Sequence, residues 1–224
     1  MEAALPPRPK GRGTRARNLM ENKKWHDLAL QLFDIGAIRF GSFTLKSGMQ
    51  SPIYLDLRLT VSYPNILNAI ADILYQSMQS SNFDLLCGVP YTALPFATVI
   101  SVQQNVPMVM RRKEKKEYGM GKIIEGVYRT NQRCLIVEDI ITSGSSISET
   151  ADALRTVGLV VEDAVVLVDR MQGGVQSLQR RNIDVQSIFN LMQILQILRH
   201  ANRIESCVFE RIQVFLQENQ TCLV

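Results

Sequence analysis

Cys134-Leu-Ile-Val-Glu-Asp-Ile-Ile-Thr-Ser-Gly-Ser-Ser-Ile147 is the stretch on which the fold turns. Four apolar residues read as a buried strand that ends in two adjacent carboxylates, Glu138 and Asp139. A loop of small hydroxyl residues around one glycine follows, and then a helical pattern. Ser146-x-x-Glu149 has the spacing of a capping box at that helix start. In an open parallel sheet, ligands bind beyond the carboxyl ends of the strands. Backbone N–H groups from Thr142 to Ser146, with the helix N-terminus behind them, would make a concave site for a phosphate dianion. Gly144 lets the main chain approach closely, and the hydroxyls of Thr142, Ser143, Ser145 and Ser146 add donors. Glu138 and Asp139 lie where they can accept hydrogen bonds from sugar hydroxyls, so the stretch describes a ribose 5-phosphate site. A plain surface loop with a capped helix is the alternative reading. A Walker-type loop is excluded, because no Gly-Lys-Ser/Thr follows a strand.

The same alternation extends outward in both directions. Short apolar runs at Leu85–Val89, Pro107–Met110, Ala164–Val168 and Ile183–Ile188 flank the first. Helical spacing fills the intervals at roughly 92–104, 145–157 and 174–182. Nearly uninterrupted aliphatic strands alternating with helices signal an α/β fold with a parallel sheet buried on both faces. Upstream, a short helix from about Trp25 is closed by Gly36. Ile38–Leu45 and Pro52–Leu57 then form two strand-like runs joined through Ser47-Gly48. Ser62 and Pro64 open a helical stretch carrying Ile66, Ile70, Ile73 and Leu74. Two amphipathic segments, Leu191–His200 and Ile204–Leu216, come last.

Charge and cysteine content narrow the partners. The net charge of +4 is concentrated in residues 1–25, where seven Lys or Arg face only Glu2 and Glu21. The rest is close to neutral, so the basic balance gives no reason to expect nucleic acid. Residues 1–22, with Pro6, Pro7 and Pro9, read as a disordered basic tail, and 23–224 as one domain. An Arg-rich targeting segment is the rival reading of the tail. No apolar run approaches the length of a membrane helix. Cys87, Cys134, Cys207 and Cys222 are widely spaced, and with only His26 and His200 no zinc site of ordinary spacing can be written. Cys87 and Cys134 read as core packing, and a reducing cytoplasm fits best.

The strand–loop–helix stretch resembles the phosphoribosyl pyrophosphate motif of the type I phosphoribosyltransferases. Four further stretches narrow the resemblance to orotate phosphoribosyltransferase, in the version that forms the first domain of animal UMP synthases. They are Phe43-Thr-Leu-Lys-Ser-Gly48 with Ser51-Pro-Ile-Tyr-Leu-Asp56, Cys87-Gly-Val-Pro-Tyr-Thr-Ala-Leu-Pro95, Arg111-Arg-Lys-Glu-Lys-Lys-Glu-Tyr-Gly119 and Val168-Asp-Arg-Met-Gln-Gly-Gly174. The resemblance spans roughly residues 25–220. It implies the type I fold, a mainly parallel sheet flanked by helices with a small hood from the N-terminal region. It also implies transfer of ribose 5-phosphate from phosphoribosyl pyrophosphate to orotate, giving orotidine 5′-monophosphate and pyrophosphate in de novo UMP biosynthesis.

Site residues follow from the same resemblance. Glu138, Asp139, Thr142, Ser143, Gly144, Ser145 and Ser146 would hold phosphoribosyl pyrophosphate. Lys46, Tyr54, Leu55, Thr142 and Arg170 would hold orotate, Arg170 through its planar donor fork. A strand-end arginine paired with Asp169 is the bland reading of Arg170. Arg112, Lys113 and Lys116 would belong to a mobile lid that closes over pyrophosphate and acts with Asp139 in catalysis. Lys116 would serve the neighbouring subunit of a homodimer. Taken alone, the charge-rich run 111–122 also reads as a solvated loop or a localisation signal. Mg²⁺ would ride on the substrate with few direct protein ligands.

Three positions depart from the microbial pattern: Thr92 replaces a lysine, Tyr118 a lid histidine, and Met171 the Glu or Gln that usually follows the Asp-Arg pair. No decarboxylase domain is expected in these residues. The rivals are a phosphoribosyltransferase for another base, a catalytically idle regulator, and a domain that depends on a missing partner for stability.

Overall fold

The computed structural model describes residues 14–44, 48–113 and 123–219. Its centre is a six-stranded sheet. The strands are β3 (Leu85–Gly88), β4 (Met108–Arg111), β5 (Ile124–Glu125), β6 (Cys134–Ile141), β7 (Asp163–Asp169) and β8 (Asp184–Asn190), in the order β5-β4-β3-β6-β7-β8. All neighbours run parallel except β4 and β5. The aliphatic runs predict this: Leu135–Val137 and Ala164–Val168 are buried on both faces, as a helix-covered parallel sheet requires. Chain order reverses between β3 and β6, so the loops after these strands diverge and open a crevice at their carboxyl ends.

The strand-to-helix crossovers bring their helices back over the sheet. α2 (Pro64–Ser77) starts with Pro64 in its first turn and buries Ile66, Ile70, Ile73 and Leu74 on one face. α3 (Ala93–Gln104) ends where Asn105 adopts the left-handed conformation. α4 (Ser145–Thr156) follows β6, and α5 (Gly174–Gln179) follows β7. α6 (Leu191–His200) opens with a reciprocal cap between Asn190 and Gln193, and Arg199 and His200 complement its C-terminal dipole. α7 (Ser206–Glu218) closes the described chain. Apart from the sheet, β1 (Ile38–Thr44) and β2 (Gln50–Leu55) pair antiparallel as a hairpin with an irregularity between Phe40 and Phe43. This is the expected hood.

Three sequence readings need correction. α1 runs over Thr14–Asp34, so it begins inside the stretch read as a disordered tail. The compositional change falls after Gly13, beyond which neither Pro nor Gly interrupts the helix. Residues 1–13 lie outside the described part. The capping box at Ser146 and Glu149 does not form: Gly144 is the N-cap residue, without a side-chain cap. Glu149 pairs instead with Arg111. Finally, the two-residue edge strand β5 and a 3-10 turn over Leu57–Ser62 carry no periodicity long enough to read. No helix among the described residues is long and apolar enough to cross a membrane.

Candidate functional site

At the end of β6 the two carboxylates sit in different surroundings, because successive strand side chains face opposite ways. Glu138 is 4% exposed, and its Oε1 accepts a hydrogen bond from the Asp139 N–H at 3.0 Å. Burial, reinforced by Asp139, holds the Glu138 carboxyl well above the usual carboxylate range. Asp139 is half-buried.

Beyond the strand, Thr142, Ser143, Ser145 and Ser146 are exposed, while Gly144 is buried with φ +82°. That left-handed backbone is why glycine is needed here. The Ser143 hydroxyl donates to Ser145 Oγ at 3.2 Å and accepts from the Ser145 N–H at 3.4 Å, which folds the loop back on itself. A cavity of about 190 Å³ results, lined by Glu138 and by residues from Ile140 to Ile147. Its polar wall and position at the start of α4 suit an anion. Asp139 is not part of that wall. A larger groove of about 590 Å³ between the hairpin and α7 contains none of the expected site residues. It is open and largely without convergent donors, so the smaller cavity carries the chemistry.

The neighbouring strand supplies the cation. Arg170 follows β7, its N–H donating to the Ile141 carbonyl at 3.0 Å. Arg170 is only 9% exposed, and its Nε and Nη2 are buried without a partner among the described residues. Burial lowers its affinity for the proton. The bland pairing with Asp169 is not observed: Asp169 accepts from the Met171 N–H at 2.7 Å. Met171, at φ +59°, turns out toward solvent. Gln172 is buried and donates from Nε2 to the Asn219 carbonyl at 2.9 Å, tying this loop to the end of α7.

On the hairpin, the Tyr54 ring stacks on Phe43 with centroids 5.4 Å apart, and the Arg39 guanidinium lies 5.0 Å from its centroid. Arg58 donates to the Tyr54 hydroxyl at 3.1 Å. Leu55 pairs with Ile38 in the ladder. The Tyr54 ring is thus held in place by three neighbours. Lys46 lies outside the described residues, as does Lys116. Of the lid cations, Arg112 pairs with Glu125 of β5, and Lys113 Nζ lies 5.4 Å from the centroid of the exposed Tyr91 ring. Sequence reasoning missed Tyr91, Glu125 and Arg111 as partners of the lid root. Tyr91 and Arg111 stand in quoted motifs but carry no pairing signal there, and Glu125 lies outside them, thirteen residues from its partner Arg112.

The buried Glu138 gives a pH-dependent expectation. A carboxyl whose folded-state affinity for protons is raised favours folding while protonated. That contribution is full below its ordinary value of 4.5 and is lost as pH rises toward the elevated folded value. Glu138→Gln should therefore melt higher than the parent at pH 8, with the gap closing toward pH 4. Thermal melts across that range check it, and a constant gap would refute the buried-acid assignment.

Comparison with known proteins agrees with this geometry. A model of the phosphoribosyl transferase domain matches residues 61–189, more than half of the chain. The uridine 5′-monophosphate synthase of Bos taurus is 49% identical over 194 residues, covering 86% of this chain and 40% of that protein. The orotate phosphoribosyltransferase of Chlamydia caviae is 44% identical over 181 residues, covering 80% of this chain and 88% of the relative. Among solved structures, UMP synthase of Leishmania donovani superposes with a TM-score of 0.80 at 38% identity, covering 86% of this chain and 42% of that one. The chain therefore spans well under half the length of the synthases it matches, and most of the length of the shorter transferase.

Proposed function

The chain belongs to the orotate phosphoribosyltransferases within the phosphoribosyl transferase family, and from that premise we propose that it transfers ribose 5-phosphate from phosphoribosyl pyrophosphate to orotate. One juxtaposition carries the reading: an anion-shaped loop after β6 stands beside a buried guanidinium after β7 that has two nitrogens without a partner among the described residues. The first asks for a phosphate; the second asks for a planar group with carbonyl or carboxylate oxygens.

In the proposed reaction, the loop from Thr142 to Ser146 holds the 5-phosphate through backbone N–H groups and hydroxyls. Asp139 and Glu138 accept from ribose hydroxyls. Arg170, Lys46, Tyr54, Leu55 and Thr142 fix orotate so that its N1 faces C1 of the ribose. The bond from C1 to pyrophosphate then loosens and N1 attacks from the opposite side. Arg112, Lys113 and Lys116 balance charge on the departing pyrophosphate. Catalysis is positioning and charge stabilisation, with no covalent enzyme intermediate. Mg²⁺ is proposed as the cofactor, carried mainly by the substrate with few direct protein ligands. When bound it would neutralise part of the pyrophosphate charge.

A homodimer sharing Lys116 across its interface, a cytoplasmic setting and the absence of a nucleic-acid partner complete the proposal.

The test is orotate consumption by the purified chain with phosphoribosyl pyrophosphate and Mg²⁺, run beside uracil, hypoxanthine and adenine. Orotate-dependent release of pyrophosphate, with none from the other bases, is the expected result. Turnover of a purine in place of orotate, or none at all in a folded sample, would overturn it.

A further inference from the structure

Arg111 lies at the last position of β4, just before the lid cations, and its side chain turns away from them. Nη1 donates to Thr150 Oγ1 at 3.1 Å, and Nη2 pairs with Glu149 at 3.2 Å. The side chain is 14% exposed, and its Nε is buried without a partner among the described residues. Thr150 in turn donates from Oγ1 to the Ser146 carbonyl at 2.8 Å. A continuous chain of hydrogen bonds thus runs from the end of β4 to the first turn of α4, where the phosphate loop ends.

The main chain around Arg111 gives this contact mechanical meaning. Arg111 is paired with Ile124, and the Arg112 N–H donates to the Ile123 carbonyl at 2.8 Å. Arg111 and Arg112 are therefore clamped against Ile123 and Ile124. The Arg112–Glu125 pair braces the same clamp, and Lys113 rests by Tyr91. The sheet holds the clamp two strands from β6 through β3, and leaves the gap between the end of β4 and the first turn of α4 to side chains. The Arg111 side chain spans that gap, using two donors of a rigid guanidinium on one helix.

We propose that Arg111 is a positioning residue: it sets Arg112 and Lys113 relative to the 5-phosphate loop through Thr150 and Glu149, without touching substrate itself. The inference rests on the transferase reading above. It places no demand on the base, so its effect should separate the two substrates.

Steady-state kinetics of Arg111→Met, Arg111→Lys, Thr150→Val and the Arg111→Met/Thr150→Val pair test it. Arg111→Met should raise the KM for phosphoribosyl pyrophosphate roughly tenfold, the scale of one lost charge-assisted hydrogen bond, with the KM for orotate within about twofold of the parent. Arg111→Lys should recover part of the loss through Glu149. The double variant should be no worse than Arg111→Met, since both break one chain of bonds. Should Arg111→Met not fold, Thr150→Val, which removes both the acceptor for Arg111 and the donor to the Ser146 carbonyl, carries the same substrate split. Equal changes in both KM values, or full additivity of the pair, would overturn the role. Absence of orotate turnover in the unsubstituted chain would count against the activity itself. Normal turnover there with unaltered kinetics in the variants would sink only the role of Arg111.

Discussion

Arg170→Met should give a protein that melts no lower than its parent and has lost about two to three orders of magnitude in kcat/KM for orotate. The two halves of this expectation have one physical source. Arg170 is 9% exposed, and two of its guanidinium nitrogens are buried without a partner among the described residues. A buried donor left unsatisfied costs about 1–3 kcal/mol, more when it is charged. The fold therefore carries this side chain at a loss until a planar acceptor arrives. Met keeps the unbranched stem and fills much of the space with no donor to satisfy. Removing the charge relieves the free protein and deprives the base of its bidentate partner. Thermal melts with and without orotate separate the terms: orotate should raise the melting temperature of the parent and not of the variant. A variant that melts several degrees lower would contradict the cost, and unchanged orotate kinetics would remove Arg170 from base recognition.

Why Arg170 could be found in the sequence, while its surroundings could not, is a matter of range. The strands were legible because Leu85–Gly88, Cys134–Val137 and Ala164–Val168 are covered on both faces, and such burial leaves continuous aliphatic runs. The hairpin was legible as two strand-like runs over Ile38–Leu45 and Pro52–Leu57, and its role as a hood came from the family resemblance. The phosphate loop declares itself locally, since strand, acids, hydroxyls, glycine and helix are consecutive. Side-chain partners are not local. Glu149 had a plausible capping role three residues from Ser146, and Arg111, thirty-eight residues away, took it instead. The competing interaction was a buried cation, which gains more from a carboxylate than an exposed helix end does. The same blindness hid Gln172 reaching Asn219, and the difference in burial between the adjacent Glu138 and Asp139. Lys46 and Lys116 rest on the family resemblance alone.

Gly174→Ala should be the most damaging single-methyl change at the site. A Cβ there would lie 2.6 Å from the Thr142 carbonyl oxygen, 2.6 Å from Ile141 Cγ1 and 3.0 Å from the Gly144 nitrogen. Ile141 can swing aside, but the other two atoms are main chain of the phosphate loop. Across the contact, a Cβ at Gly144 would meet the Gly174 carbonyl at 3.0 Å. The loop that binds phosphate and the loop that carries Arg170 are therefore seated against each other through two facing glycines. Ordinary contact requires the loops to part by roughly 0.6–0.8 Å. Displacements of that size at a reacting centre cost about a hundredfold in rate, whereas the overpacking itself should cost only about 1–3 kcal/mol of stability. Gly158→Ala supplies the comparison. Unlike Gly174 it has positive φ (+83°), and its Cβ would meet Thr130 Cγ2 at 3.0 Å, but it lies in the turn after α4 at the opposite end of that helix from the phosphate loop. Both variants should melt lower than the parent. Only Gly174→Ala should lose kcat/KM for phosphoribosyl pyrophosphate and for orotate together, because its methyl moves both loops. Equal activity per folded molecule in the two variants would mean that the glycine contact serves the fold alone, and that the two substrate loops are positioned independently.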